Sequence, residues 1–143
     1  MATVNVYLTF GGNCKEAFDF YSAAFGKEIS DHNTFGEMPP QDGMPPMPED
    51  MKDQIMHISL PIGEGTVLMG SDHAPWGPPL QAGNNFSISV NPSSEAEAEQ
   101  IFHALAEGGT VSMPLAKTFW QAYFGMLTDK FGINWMVNFE LPA

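Results

Sequence analysis

The 143-residue chain sets 17 acidic residues against five lysines and no arginine, a formal net charge of −12, with 43% apolar and 12% aromatic residues. That composition excludes a disordered chain, and it offers no clustered Lys/Arg surface to displace counterions from phosphates, so nucleic acid is not an expected partner. The single cysteine, Cys14, cannot form an internal disulfide, and no apolar run reaches the roughly 18 residues of a spanning helix; a cytoplasmic protein without a membrane contact is expected.

Along the chain, Val6, Leu8 and Phe10 alternate with Asn5, Tyr7 and Thr9, the period of a half-buried strand. Ala17, Phe20, Tyr21 and Ala24 follow at helical spacing, introduced by Asn13 with Glu16 as a capping pair and closed by Gly26. An extended segment EISDHNTFGE leads into residues 37–53, EMPPQDGMPPMPEDMKD. Its five prolines and four methionines suit a long loop rather than a strand or helix. IMHISLPIGEGTVLMGS then reads as a glycine-centred hairpin.

The same order recurs after a Pro-rich linker at about 74–82. Phe86, Ile88 and Val90 alternate with Asn85, Ser87 and Ser89; Ser94 and Glu97 repeat the cap; Ala98, Ile101, Phe102 and Leu105 repeat the helical stripe; Gly108 closes it. TVSMPLAKTF is the second extended segment and AYFGMLTDKFGINWMVNF the second hairpin. The reading is one α+β domain over 1–143, built from two tandem βαβββ units, about 1–73 and 83–143.

Two such units in this length, together with YLTFGGNCKEAFDFY, MHISL with LMGSD, and FWQAYFGMLTDKFGINWMVN, resemble the PhnB-like branch of the vicinal oxygen chelate superfamily, which includes glyoxalase I, extradiol dioxygenases and bleomycin-resistance proteins. The resemblance implies a concave cavity, a homodimer, and a metal held by one side chain from the first and one from the last strand of each unit. Those positions correspond to Asn5, Asn85, Leu68 or Met69, and Met136. Amide, alkyl and thioether groups do not neutralise a divalent ion, so neither a catalytic metal nor another cofactor is expected.

Within that cavity, His57 and Ser59 share one strand face and make His57 the best acid–base group; a histidine simply satisfied by Ser59 is the equal alternative. Trp120 and Tyr123 stand near the expected mouth, with Trp76 joining from the linker, whereas Phe119 and Trp135 suit a core or interface. His32, His73 and His103 are expected to face solvent. Cys14, near a helix start, has no paired base and is read as structural. Met38, Met44, Met47 and Met51 suit a greasy flap better than a soft-metal site, and the glycine pairs match no nucleotide-binding pattern.

The leading expectation is a dimeric protein binding a small neutral or weakly polar molecule, with Asn5, Tyr7, Thr9, His57, Ser59, Asn85, Ser87, Trp120 and Tyr123 as ligand contacts. The lack of arginine, which removes the bidentate fork for anions, supports that ligand class. The alternative is a glyoxalase-like lyase or isomerase, or a metal-dependent enzyme, using His57 as acid–base group or ligand.

Overall fold

The computed structural model describes residues 2–39, 43, 47–74 and 77–142. The chain divides into two compact units, Met1–Gln81 and Ala82–Ala143. In unit one the elements run β1 (Val6–Phe10), α1 (Cys14–Phe25), β2 (Asp31–Thr34), β3 (Ile55–Gly63) and β4 (Thr66–Asp72), forming a sheet of order β1-β4-β3-β2. β1 and β4 are parallel and the other pairs antiparallel. The segment between β2 and β3 carries two single 3-10 turns, Phe35–Glu37 and Glu49–Met51; Met44 lies outside the described residues.

The alternation in β1 behaves as its period requires, with Leu8 and Phe10 buried and Tyr7 and Thr9 exposed. Leu8, Ile58, Leu60 and Leu68 meet Cys14, Ala17, Phe18, Tyr21 and Ala24 of α1 in the core. Phe18, rather than Phe20, is the fully buried ring, and Phe20 is only half-buried. The cause lies on β4: a Cβ at Gly70 would sit 2.7 Å from Phe18 Cε1 and 2.9 Å from the Leu8 carbonyl oxygen, so the bare glycine makes room for the Phe18 ring.

The start of α1 departs from the capping expectation. Asn13 makes no side-chain cap hydrogen bond. Instead Asp72, at the end of β4 and 2% exposed, accepts from the Gly12 and Cys14 amides through Oδ1 at 2.9 and 3.0 Å, and from the Ile55 amide through Oδ2 at 2.8 Å. A carboxylate with two acceptors satisfies more orphan amides than Asn13 offers. Gly26 ends the helix in the left-handed region, φ 64°.

Unit two repeats the order as β5 (Ile88–Val90), α2 (Glu95–Ala106), β6 (Thr110–Lys117), β7 (Ala122–Thr128) and β8 (Asn134–Glu140), with sheet order β5-β8-β7-β6. Its core holds Ile88, Ala98, Ile101, Phe102, Leu105, Leu127, Trp135 and Val137. Gly125 makes room as Gly70 does, since a Cβ there would lie 2.6 Å from the Phe102 ring. Here the cap is made: Ser94 Oγ accepts from the Glu97 amide at 3.1 Å, while Glu97 Oε1 accepts from Ser93, one residue ahead of the cap. Trp135 donates its indole N–H to Asp129 Oδ2 at 2.8 Å, and Asp129 Oδ1 accepts from the Phe131 and Ile133 amides in the β7–β8 turn.

One expectation for unit two is corrected and another is narrowed. β5 begins only at Ile88, so Phe86 is 59% exposed and Asn85 and Ser87 precede the strand; Asn134 Nδ2 donates to the Phe86 carbonyl, so a side chain serves the group that a strand would pair with backbone. Phe119, expected in a core or interface, is 93% exposed on the β6–β7 turn and so is not a core residue of this unit. Among the described residues no helix is long and apolar enough to cross a membrane.

Asp72→Ala leaves three buried or part-buried amides without their acceptor, at roughly 1–3 kcal/mol each before relaxation and rehydration. Urea unfolding is therefore expected to show a loss of about 3 kcal/mol, with Asp72→Asn losing less because one oxygen remains; an unchanged midpoint for the alanine variant contradicts this role.

Candidate functional site

With α1 covering one face of the first sheet, pairing decides which side chains share the other. Tyr7 opposes Met69 and Thr9 opposes Ser71 across β1–β4, Ser59 opposes Met69 across β3–β4, and Asn33 opposes His57 across β2–β3. Opposed residues project to the same side, so this open face gathers Tyr7, Thr9, His57 and Ser59. The Tyr7 and His57 rings lie 6.0 Å apart at 34°, and His57 Nε2 and Ser59 Oγ share a hydrogen bond of 2.9 Å. His57 is half-buried and Ser59 nearly fully buried. Asn5, just before β1, accepts from the Val67 amide at 3.2 Å, so its carbonyl is already used to tie down β4.

Sequence reasoning missed two members of this face, Asn33 and Ser71, and named Met69 only as one of two positions for a metal ligand. Asn33 Oδ1 is buried without a hydrogen-bond partner, next to the β-bulge between Asn33 and Thr34. An unpaired buried acceptor is costly and marks a place where a donor is wanting. Only strand pairing places Asn33 opposite His57; its signal in the sequence was no more than its alternation with His32.

In unit two the expected residues do not assemble in the same way. Asn85 and Ser87 are exposed ahead of β5. Tyr123 has the parity of Gly125 and Leu127, on the α2 side of the sheet, and its hydroxyl donates to Glu99 of α2 at 2.9 Å. That hydrogen bond, then burial and the negative charge of Glu99 and Glu95, raises its pKa. Tyr123 thus stands away from the open face. Trp120, half-exposed, packs on Phe124 with ring centroids 5.8 Å apart, and Phe124 opposes Asn138 on the open side. The turn that presents Trp120 is closed by Thr118 Oγ1, which accepts from the Ala122 amide at 3.2 Å, with Gln121 in the left-handed region at φ 66°. Trp76 lies outside the described residues.

The other histidines take separate places. His32 and His103 are exposed, and the half-buried His73 bonds the Pro78 carbonyl through Nε2. Of the two candidates on β4 for a metal ligand, Leu68 is core and Met69 is on the open face. Together with Asn5, Asn85 and Met136 this donor set does not fit a divalent ion, and among the described residues no group of three His, Cys, Asp or Glu is placed to hold one.

The profile of the Glyoxalase/Bleomycin resistance protein/Dioxygenase superfamily matches residues 3–137. Protein YjdN of Escherichia coli K12 is 36% identical over 137 residues, 92% of this chain and 91% of that protein. The crystal structure of protein PA1353 from Pseudomonas aeruginosa, 46% identical, superposes with a TM-score of 0.85 over 99% of this chain and all of the other. A protein from Bacillus cereus described as a putative 3-demethylubiquinone-9 3-methyltransferase, PhnB protein, is 25% identical with a TM-score of 0.74, covering 96% of this chain and 99% of its own.

Cys14 opens α1, where helix amides favour a thiolate, yet it is fully buried, and its thiol is pushed up to about 12, first by burial and then by the negative charge of Asp72. The thiol therefore stays protonated. In the unfolded chain it titrates near its ordinary value of 9.0, so its contribution to stability is complete below that pH. Between about pH 9 and 12 the unfolded chain loses a proton that the native state keeps, and stability falls as pH rises. Dithionitrobenzoate at pH 8 is expected to label the urea-unfolded chain at once and the native chain only as fast as it opens; immediate labelling of native protein contradicts the burial argument.

Proposed function

This chain belongs to the Glyoxalase/Bleomycin resistance protein/Dioxygenase superfamily, and on that premise we propose that it is a homodimeric, cytoplasmic binding protein that holds a small neutral or weakly polar molecule on its open sheet surface without a catalytic divalent metal. The observation that carries the reading is the first sheet's open face, where the Tyr7 ring lies 6.0 Å from a half-buried His57 that is itself hydrogen-bonded to Ser59. Aromatic surface beside a few fixed polar groups is the kind of lining that orients a small molecule in its site. Asn33 Oδ1 adds an acceptor that lacks a donor. The ligand class follows from composition: no arginine is present to clamp a carboxylate or phosphate, and a chain of net charge −12 repels anions.

The 2.9 Å contact between His57 and Ser59 also favours a second reading, a lyase or isomerase in which His57 moves a proton. Fold alone does not choose, because this architecture hosts both carriers and catalysts. In the carrier reading His57 positions the ligand; in the enzymatic reading it exchanges a proton with it.

Elemental analysis of protein purified without chelators is expected to find well under one Zn, Ni, Mn or Fe per chain; about one tightly held equivalent overturns the metal-free reading. His57→Ala separates the two remaining readings once ligand-observed NMR with a library of small neutral compounds has found a binder. Lost binding with no turnover in the parent supports the carrier, and retained binding with abolished turnover supports the enzyme.

A further inference from the structure

The open face of unit two carries a cluster that the reading above does not use. Met113 on β6 opposes Met126 on β7, and Met126 opposes Met136 on β8. The three strands are consecutive in the sheet, so the three side chains form one row on one face, with neighbouring Cβ atoms about 5 Å apart. A methionine has three rotatable bonds and reaches well beyond that spacing. The outer two thioethers can therefore converge on a point above the central Met126. Irregularities in register on both sides of Met113 free its strand from the regular pleat and allow it to turn toward its neighbours.

The surroundings narrow what such a row can hold. Met113 is 43% exposed and Met126 and Met136 are half-buried, so none of the three side chains is sealed in the core. The row continues into Ser89, opposite Met136, and the next row is Ala116, Phe124 and Asn138. Neither row supplies a carboxylate, imidazole or thiolate. Neutral thioethers alone bind hard or borderline dications poorly and suit monovalent, polarisable cations. The rings of Phe124 and Trp120, packed 5.8 Å apart beside the row, add π-faces that favour a partly desolvated cation, and the net charge of −12 raises cation concentration near the chain.

We propose that Met113, Met126 and Met136 form a soft-metal site for a monovalent thiophilic cation of the Cu(I) or Ag(I) class. The site is built from residues of unit two alone, and the misfit of a divalent ion, which concerns hard or borderline cations, does not bear on it.

Silver nitrate in chloride-free buffer is the probe, since Ag(I) needs no reductant, and methionine methyl resonances in 1H–13C NMR are the readout. The three methyl signals are expected to move together and saturate at one Ag(I) per chain. Met126→Leu conserves volume and removes the central donor, and is expected to weaken binding about tenfold or more while leaving the urea midpoint nearly unchanged. Cys14→Ala, Met38→Leu and Met51→Leu are expected to leave the titration as it was. No saturable shift, a titration unaffected by Met126→Leu, or one abolished by a variant at Cys14, Met38 or Met51 overturns the assignment.

Discussion

The carboxylate of Asp72 ties unit one together. It takes the Gly12 and Cys14 amides on one oxygen and the Ile55 amide on the other, so it joins the end of β4 to the β1–α1 turn and to the start of β3. Three chain segments far apart in sequence are thereby fixed at one point. That point lies at the end of β4, the strand whose register brings Tyr7 and Ser59 opposite Met69 on the open face. Burial first, and then the charge of the same carboxylate, keeps Cys14 a thiol. Unit two fixes its last hairpin with another buried acid, Asp129, bonded to the Trp135 indole and to two amides of its own turn.

The two units answer one packing problem alike and then diverge. Each lays one amphipathic helix on a four-stranded sheet, and each opens a strand glycine, Gly70 or Gly125, beneath a helix phenylalanine, Phe18 or Phe102. The covered faces are constrained by close packing, where a single methyl group is felt. The open faces carry no such constraint. One has become polar, with Tyr7, Thr9, His57 and Ser59; the other is lined by thioethers and aromatic rings, Met126, Met136, Phe124 and Trp120. Duplication has preserved the scaffold and allowed two surfaces of different chemistry.

Much of this was legible in the sequence, because alternation in Val6–Phe10, the stripe Ala98–Leu105 and the two glycine-centred hairpins are local signals read within a few residues. The tandem βαβββ order followed from their repetition, and the open-face placement of Tyr7, Thr9, His57 and Ser59 from parity within single strands. What escaped was set by contacts between distant segments. Asp72 replaced Asn13 as the α1 cap from 58 to 60 residues away. Phe18 displaced Phe20 because of a glycine on another strand. Asn33 and the methionine row become visible only when bulged strands are put in register. The side that Tyr123 takes was legible too, since its parity with Gly125 and Leu127 already put it on the helix side.

In the proposed function the chemistry of this protein resides on the open face of the first sheet, around His57. Chemical-shift mapping on isotope-labelled protein, with small neutral compounds bearing both an aromatic ring and a hydrogen-bond donor, tests it most directly. Binders are expected to perturb Tyr7, Asn33, His57 and Ser59 together and to leave the Asp129 turn undisturbed. Binders that perturb only residues elsewhere, with those four unmoved, would contradict it.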